Sequence, residues 1–139
     1  MRPVFAAVIA IIALAGFRAS RPAPEATVQV KVDLKCTPTG VTYTIDPWNV
    51  TIHQGDEVEW VLDPAANTDD LEIRPKQAAR WPFATRNFRG GRNNNNRPHG
   101  RGMRPGQRGT RHAYNVLMVC KGPVTRPDTV VIDPEIIID

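Results

Sequence analysis

Apolar and polar residues alternate between positions 28 and 34 of the chain. A period of two places the apolar side chains on one side of an extended backbone, so this stretch predicts a β-strand with one buried face. The same alternation returns at 57–62, where it predicts that Val58, Trp60 and Leu62 point into a core. Further short strands are predicted at 41–45, 50–52, 71–73, 113–120 and 129–138.

Turn-forming residues separate these runs, and no helical period follows the N-terminal segment. Several short strands joined by turns are typical of an antiparallel β-sandwich. Pro134 interrupts the last run. Because proline donates no backbone hydrogen bond, that strand is expected to lie at a sheet edge or to bulge there. The chain of 139 residues has room for one such domain.

The first residues have the composition of a targeting signal. Arg2 is followed by an uncharged, apolar run at 4–16, which is shorter than the roughly 20 residues that a helix needs to cross a bilayer. Cleavage is expected after Ala15 or Ala19, and the protein is expected to be periplasmic or secreted rather than an integral membrane protein. The alternatives are an uncleaved membrane anchor and a buried core helix. The pattern predicts three parts: a signal peptide at 1–19, a linker at 20–26 and a folded domain at 27–139.

A basic insert at 74–112 separates two groups of strands. It holds ten arginines and Lys76 but no Asp or Glu, and it is rich in Gly, Pro and Asn. Such a composition buries too little apolar surface to offset the entropy lost on ordering. The insert is therefore predicted to be a long disordered loop, ordered at best near Trp81 and Phe83. Deleting 75–111 is expected to leave the sandwich folded.

Charge is divided between this insert and the rest of the domain. The strand segments 27–73 and 113–139 carry thirteen acidic residues against four basic ones. Either the insert lies across its own acidic domain, or it binds an anionic envelope polymer, a lipid headgroup or an acidic protein surface. Export makes nucleic acid a poor candidate. The candidate polyanion-binding residues are Arg80, Arg86, Arg89, Arg92, Arg97, Arg101, Arg104, Arg108 and Arg111.

Cys36 and Cys120 are the only cysteines. In an oxidising compartment an even count predicts one disulfide. A bridge closing about 85 residues would stabilise the fold by roughly 4 to 5 kcal/mol in the chain-entropy model. The strand segments supply only 74 residues without the insert, and so small a core needs a cross-link of this kind.

Two stretches resemble the cupredoxins, the blue-copper proteins. In the first, an apolar strand, a proline, an apolar pair and a Gly-Asp turn lead into a strand with an aromatic residue; the second is a Tyr-led strand that ends in a cysteine. The resemblance covers 27–73 and 113–139, although alternation around Gly-Asp also occurs in immunoglobulin-like sandwiches. It implies a small Greek-key sandwich in which Cys36 and Cys120 lie at the same pole. The matching residues are Ile45, Pro47, Val50, Ile52, Gly55, Asp56, Val58, Trp60, Tyr114, Val116, Met118 and Cys120.

The copper ligands of that family are missing. A type 1 copper needs two histidines and a thiolate, usually with an axial methionine. The loop 63–70, where the family has one histidine, contains none, and 121–139 contains neither His nor Met. The resemblance therefore implies a cupredoxin-like domain without copper, and no metal or other cofactor is expected. The alternative is an atypical copper-binding or electron-transfer site built from His53, His99, His112 and Met103.

The sequence contains none of the common catalytic motifs that would indicate an enzyme. The serine-hydrolase, zinc-protease and phosphate-loop signatures are absent, and Ser20, the only serine, precedes the predicted domain. The sequence favours a non-enzymatic binding or structural module with the basic insert as its binding surface.

Overall fold

The computed structural model describes residues 26–84, 88–91, 97–121 and 129–139. Four strands form the first sheet, in the spatial order β2 (Gly40–Asp46), β1 (Thr27–Thr37), β4 (Glu57–Leu62) and β7 (His99–Gly100). The second sheet has the order β3 (Val50–Ile52), β10 (Glu135–Ile138), β8 (Arg111–Val119), β5 (Asp70–Pro75) and β6 (Arg89–Gly91). The remaining strand, β9 (Thr129–Ile132), pairs with the end of β8, and a turn of 3-10 helix, Ala78–Arg80, follows β5.

The prediction of an all-β sandwich is confirmed, and each predicted strand is present. The sheets are mixed rather than wholly antiparallel, because β1 runs parallel to β4 and β3 runs parallel to β10. The hairpin of β1 and β2 occupies one side of β1. The chain then crosses to the second sheet as β3 and returns beside β1 in the same direction, which is the crossover connection that a parallel pair requires.

The alternating apolar residues of β1, β4 and β8 all face one core. The orientation predicted for Val58, Trp60 and Leu62 is confirmed, and Trp60 is 1% exposed. The Trp60 indole N–H donates a hydrogen bond to the hydroxyl of Tyr114 over 3.2 Å, and the two rings meet edge to face. This hydrogen bond joins Trp60 of the first sheet to Tyr114 of the second sheet inside the core.

Pro134 separates β9 from β10 without changing the register. Both strands pair with β8, and Val116 faces Ile132 while Ala113 faces Glu135. The spacing is three residues on each strand, so no residue is inserted and a bulge is excluded. The Pro134 carbonyl still accepts a hydrogen bond from the Tyr114 N–H over 3.1 Å. Among the described residues β9 lies at an edge, whereas β10 lies between β3 and β8.

The basic insert is part of the core. Trp81 and Phe83 are 2% and 0% exposed, and Phe88 and Met103 pack against the same cluster. An antiparallel bridge joins Phe83 to Met103, and the Arg104 N–H donates to the Pro82 carbonyl over 2.8 Å. The order that the prediction allowed near Trp81 and Phe83 is confirmed, and the prediction of a disordered loop is wrong for the other described parts of 74–112, which include β6, β7 and the start of β8. Positions 85–87 and 92–96 lie outside the described residues.

Phe83 rests on the backbone of β7. A Cβ atom at Gly100 would lie 2.4 Å from Cδ2 of the Phe83 ring, so only glycine allows the ring to approach this strand. Trp81 stacks on Trp60 at a centroid distance of 6.5 Å and meets the Tyr114 ring edge-on. Deleting 75–111 would remove two buried aromatic side chains, so the structure leads us to expect that this deletion destabilises the sandwich.

The predicted disulfide is confirmed. Cys36 and Cys120 are bonded, with their Cα atoms 5.9 Å apart and a sequence separation of 84. Asn67 reinforces the junction: its side-chain oxygen accepts from the Cys36 N–H over 3.0 Å, and its backbone carbonyl accepts from the Lys121 N–H over 2.7 Å.

The predicted signal peptide and positions 20–25 of the predicted linker lie outside the described residues. Within the ranges that are described, no helix is long and apolar enough to cross a membrane.

Candidate anion-binding site

Two arginines of the insert are paired with carboxylates of the first sheet. Arg97 lies 3.0 Å from Glu59, and Arg101 lies 3.3 Å from Glu57. Both contacts follow from the antiparallel pairing of β7 with β4, which places His99 opposite Glu59 and brings the flanking arginines to the acidic face of β4. These two candidates are neutralised locally.

The second sheet pairs four more cations. Arg74 and Arg89 lie 2.9 and 3.1 Å from the two carboxylate oxygens of Glu72, which is the cross-strand partner of Arg89. Lys76 pairs with Asp133, and Arg111 lies 3.2 Å from Glu135. For these residues, the alternative in which the insert lies across its own acidic domain is confirmed.

Three candidate arginines differ from the rest. Arg80, Arg104 and Arg108 are exposed, and none of them has an acidic partner among the residues that the structure describes. The other two candidates, Arg86 and Arg92, fall outside the described ranges. Of the seven candidates that the structure describes, three therefore have guanidinium groups available for an external anion.

These three arginines lie on one end of the sandwich, which we call the basic pole and define as residues 76–84 and 101–112. Backbone hydrogen bonds fix its segments to each other. The Ala84 N–H donates to the Gly102 carbonyl over 2.9 Å, and the Arg104 N–H donates to the Pro82 carbonyl over 2.8 Å. The Gly109 N–H donates to the Ile138 carbonyl over 2.6 Å and so ties the pole to β10. Gly109 has a φ of 76°, which an L side chain rarely adopts, so the turn beside Arg108 requires glycine.

Gln54 joins the basic pole to the turn before β4. Its side-chain amide donates to the Arg104 carbonyl over 2.9 Å, and its side-chain oxygen accepts from the Gln107 N–H over 2.8 Å. The backbone beside Arg104 is thereby held on both sides. A guanidinium group on a fixed backbone loses less entropy on binding than one on a mobile loop.

A groove of about 450 Å³ opens on the basic pole where the chain leaves β5 and passes the start of β8. Its charged and aromatic lining has more cationic than acidic groups, although two of the cations are paired. Trp81 adds an apolar wall, and its indole N–H is buried without an acceptor among the described residues. The lining residues with chemistry to offer are Lys76, Arg80, Trp81, Arg111, His112 and Glu135.

His112 is the side chain of this groove whose ordinary pKa, 6.5, lies close to neutral pH. Its Nε2 lies 2.8 Å from the Thr110 hydroxyl, whose single proton is donated to the Gln107 carbonyl. Thr110 must then accept, so Nε2 of neutral His112 carries the proton and Nδ1 is the atom that titrates. Burial lowers the pKa of His112 below its ordinary value of 6.5. A bound anion would favour the protonated imidazolium and oppose this shift.

A second opening, of about 400 Å³, lies on the second sheet and is lined by Leu117, Val119 and the Glu72–Arg89 pair. Its cation is already paired with a carboxylate. The site at the basic pole is therefore the better anion site of the two.

The residues of the alternative copper site do not come together. The Met103 sulfur accepts a hydrogen bond from the Gly55 N–H over 3.4 Å, Nδ1 of His99 lies 3.1 Å from the Arg97 carbonyl, and His112 contacts Thr110 and Trp81. His53 is exposed at the turn before β4. In the part of the chain that is described, no three His, Cys, Asp or Glu side chains are grouped so that they could hold a metal ion.

Sequence reasoning missed the groove itself. Arg80 and Arg111 were expected among the anion-binding residues, but Lys76, Trp81 and Thr110 carry no motif that would mark them as a site. His112 drew attention as a metal ligand rather than as a neighbour of arginines. No protein-family model and no curated protein matches this chain.

Proposed function

We propose that the protein is an exported, non-enzymatic binding module whose basic pole holds an anionic polymer. The observation that carries this proposal is the contrast among the arginines. Six described cations of the insert are paired with the domain's own carboxylates, whereas Arg80, Arg104 and Arg108 are exposed on a hydrogen-bonded scaffold without an acidic partner among the described residues.

The chemistry of arginine favours oxyanions as the ligand. A guanidinium group presents a planar fork of donors that matches carboxylate, sulfate or phosphate oxygens. Within the groove, Lys76 and Arg111 are held only by solvent-exposed ion pairs, which are typically worth no more than about 1 kcal/mol. An anionic group of a polymer can compete for these two cations while neighbouring groups contact Arg80, Arg104 and Arg108.

A copper-free, cupredoxin-like origin is part of this proposal. Cys120 is bonded to Cys36, so its sulfur is not a thiolate that could ligate type 1 copper. The same disulfide supports export, because disulfides persist in oxidising compartments.

The test compares two triple variants with the same loss of charge. Binding to immobilised dextran sulfate is measured over a range of salt concentrations for the oxidised protein. The variant R80Q/R104Q/R108Q is expected to lose most of the affinity, and its plot of log affinity against log salt should be shallower by roughly 2 to 3, about one unit per lost contact. The matched control R74Q/R89Q/K121Q removes three cations that are paired with Glu72 or Asp69 and should keep the wild-type slope.

Equal losses in both variants would show that net charge alone drives binding and would refute a site at the basic pole. Vesicles of phosphatidylglycerol form a second arm of the experiment. Binding to vesicles without binding to dextran sulfate would replace the polymer by a lipid surface.

A further inference from the structure

The edges of the two sheets differ in length. Among the described residues, the edge strands β7, β3, β6 and β9 have two, three, three and four residues, respectively. The remaining edge, β2, has seven residues, and within the described part of the chain its one partner strand is β1. Short edges are one of the devices by which proteins avoid pairing with other chains. β2 lacks that protection.

The composition of β2 offers little other protection, since Asp46 at its end is its one charged residue. Lys, Arg and Pro, which commonly discourage pairing at an edge, are absent from Gly40–Asp46, and five of its seven residues are β-branched or aromatic. By contrast, β6 begins with Arg89, and β7 is flanked by Arg97 and Arg101. Hydrogen bonding to β1 uses alternate residues of β2, so the others direct their N–H and C=O groups outward.

Two large aromatic side chains lie half exposed beside this edge. Tyr43, the middle residue of β2, is 47% exposed, and Trp48, just after the strand, is 44% exposed. Their ring centroids are 6.5 Å apart. Tyr43 shares a strand face with Val41 and Ile45, which pack on the core, so its ring is the part of this apolar row that is left uncovered.

We propose that β2 pairs with β2 of a second copy of this chain, antiparallel about Tyr43. The two four-stranded sheets would then form one continuous sheet across a twofold axis. This register pairs all seven residues and places each Tyr43 opposite the other, with both Trp48 rings beside them. Asp46, the only ionisable residue of the strand besides Tyr43, falls opposite Gly40. The two Asp46 side chains are separated by six residues of strand, about 20 Å, and do not repel each other appreciably.

Cysteine cross-linking tests the register. In Tyr43→Cys the two introduced thiols face each other, within the Cα separation of roughly 4.4 to 6.8 Å that a disulfide needs. Mild oxidation should give a covalent dimer that retains the Cys36–Cys120 bond, as shown by peptide mapping. The matched control Thr42→Cys places its thiol opposite Thr44 of the second copy and should cross-link poorly. Equal cross-linking of both variants, or none in Tyr43→Cys, overturns the proposal.

Sedimentation equilibrium tests the association itself. The oxidised wild-type protein should show a monomer–dimer equilibrium, and Tyr43→Lys should shift it to monomer because it places a charge at the centre of the paired edge. The control Val131→Lys makes the same change at the 56% exposed valine of β9 and should dimerise like wild type. Circular dichroism of both variants checks that each remains folded. A monomeric wild type, or a dimer that Tyr43→Lys leaves intact, contradicts pairing through β2.

Discussion

The two ends of the sandwich are closed by different chemistry. At the end where β1 and β8 finish, the Cys36–Cys120 disulfide joins the first sheet to the second. Asn67 adds hydrogen bonds to both strands: its N–H donates to the Leu34 carbonyl over 2.7 Å, and its carbonyl accepts from Lys121. This closure needs few residues, because a covalent bond holds the two sheets together without extensive packing.

The opposite end, where β8 begins, has no disulfide and is closed by aromatic packing together with hydrogen bonds from the Gln54 side chain and from the backbone of Ala84 and Gly109. Trp81 contacts the rings of Trp60, Tyr114 and Phe83 there, and Phe83 fits against Gly100. The segment 76–84, which supplies Trp81 and Phe83, also carries Arg80, and its backbone is hydrogen-bonded to 101–112, which carries Arg104 and Arg108. Binding surface and stability are therefore coupled at this end of the molecule, whereas the disulfide end is free of that constraint.

The largest expected effect comes from opening the covalent end. Cys36→Ala with Cys120→Ala should lower the free energy of unfolding by roughly 4 to 5 kcal/mol, because the unfolded chain regains the entropy that the cross-link removes. Urea unfolding of the oxidised protein and of the double variant measures the difference, and the reduced wild type provides an independent comparison. A loss below about 1 kcal/mol would mean that packing at the aromatic end suffices to hold the sheets together.

Opening the aromatic end should cost nearly as much. Phe83→Ala leaves a cavity against Gly100 and Trp81 and should destabilise the fold by about 3 to 5 kcal/mol. The same substitution at Phe88, which is only partly buried in the same insert, provides the matched control and should cost less. Thermal and urea unfolding measure both variants. If Phe83→Ala changes stability by less than about 0.5 kcal/mol, the insert is dispensable for the core after all.

The strands could be predicted because their signal is local. Along β1, β4 and β8 the alternation of apolar and polar residues directly reflects which face is buried. The parallel direction of β1 and β4 left no such trace. It depends on where the chain crosses between sheets, and no period in the sequence records that path.

The insert was mispredicted because its order is not local. Phe83 is buried by Gly100 and Trp81 by Trp60, contacts that join distant parts of the sequence without any period. A composition rich in Arg, Gly and Asn predicts disorder when each residue is considered alone. Two buried aromatic rings, one packed on the Gly100 backbone and one on Trp60, are enough to order the segment despite this composition.

For the candidate site, the sequence predicted the type of residue, arginine, but not where in the fold the site lies. The sequence identified a row of arginines, yet their availability depends on distances to carboxylates that only the fold sets. Arg97 lies beside Glu59 because β7 pairs with β4, whereas Arg104 lies just before a turn and Arg108 lies in one, and neither has an acidic partner among the described residues.

The smallest expected effect is a loss of stability at alkaline pH, which tests the aromatic end alone. Burial raises the pKa of Tyr114 to about 12, against an ordinary value of 10.0, and the hydrogen bond from Trp60 opposes this shift in part. The unfolded chain therefore releases the phenol proton at lower pH than the folded protein does. This contribution to stability is fully present below about pH 10 and is lost as pH rises toward about 12, by roughly 2 to 3 kcal/mol.

Tyr114→Phe isolates this contribution. The variant loses the hydrogen bond with Trp60, worth about 1 kcal/mol, at every pH, but it has no phenol to ionise. Urea midpoints measured between about pH 9 and pH 12 should therefore fall more steeply for the wild type than for the variant. Parallel curves would show that alkaline unfolding starts elsewhere, and the ring of Tyr114 would then lie in a wetter environment than its contacts with Trp60 and Trp81 indicate.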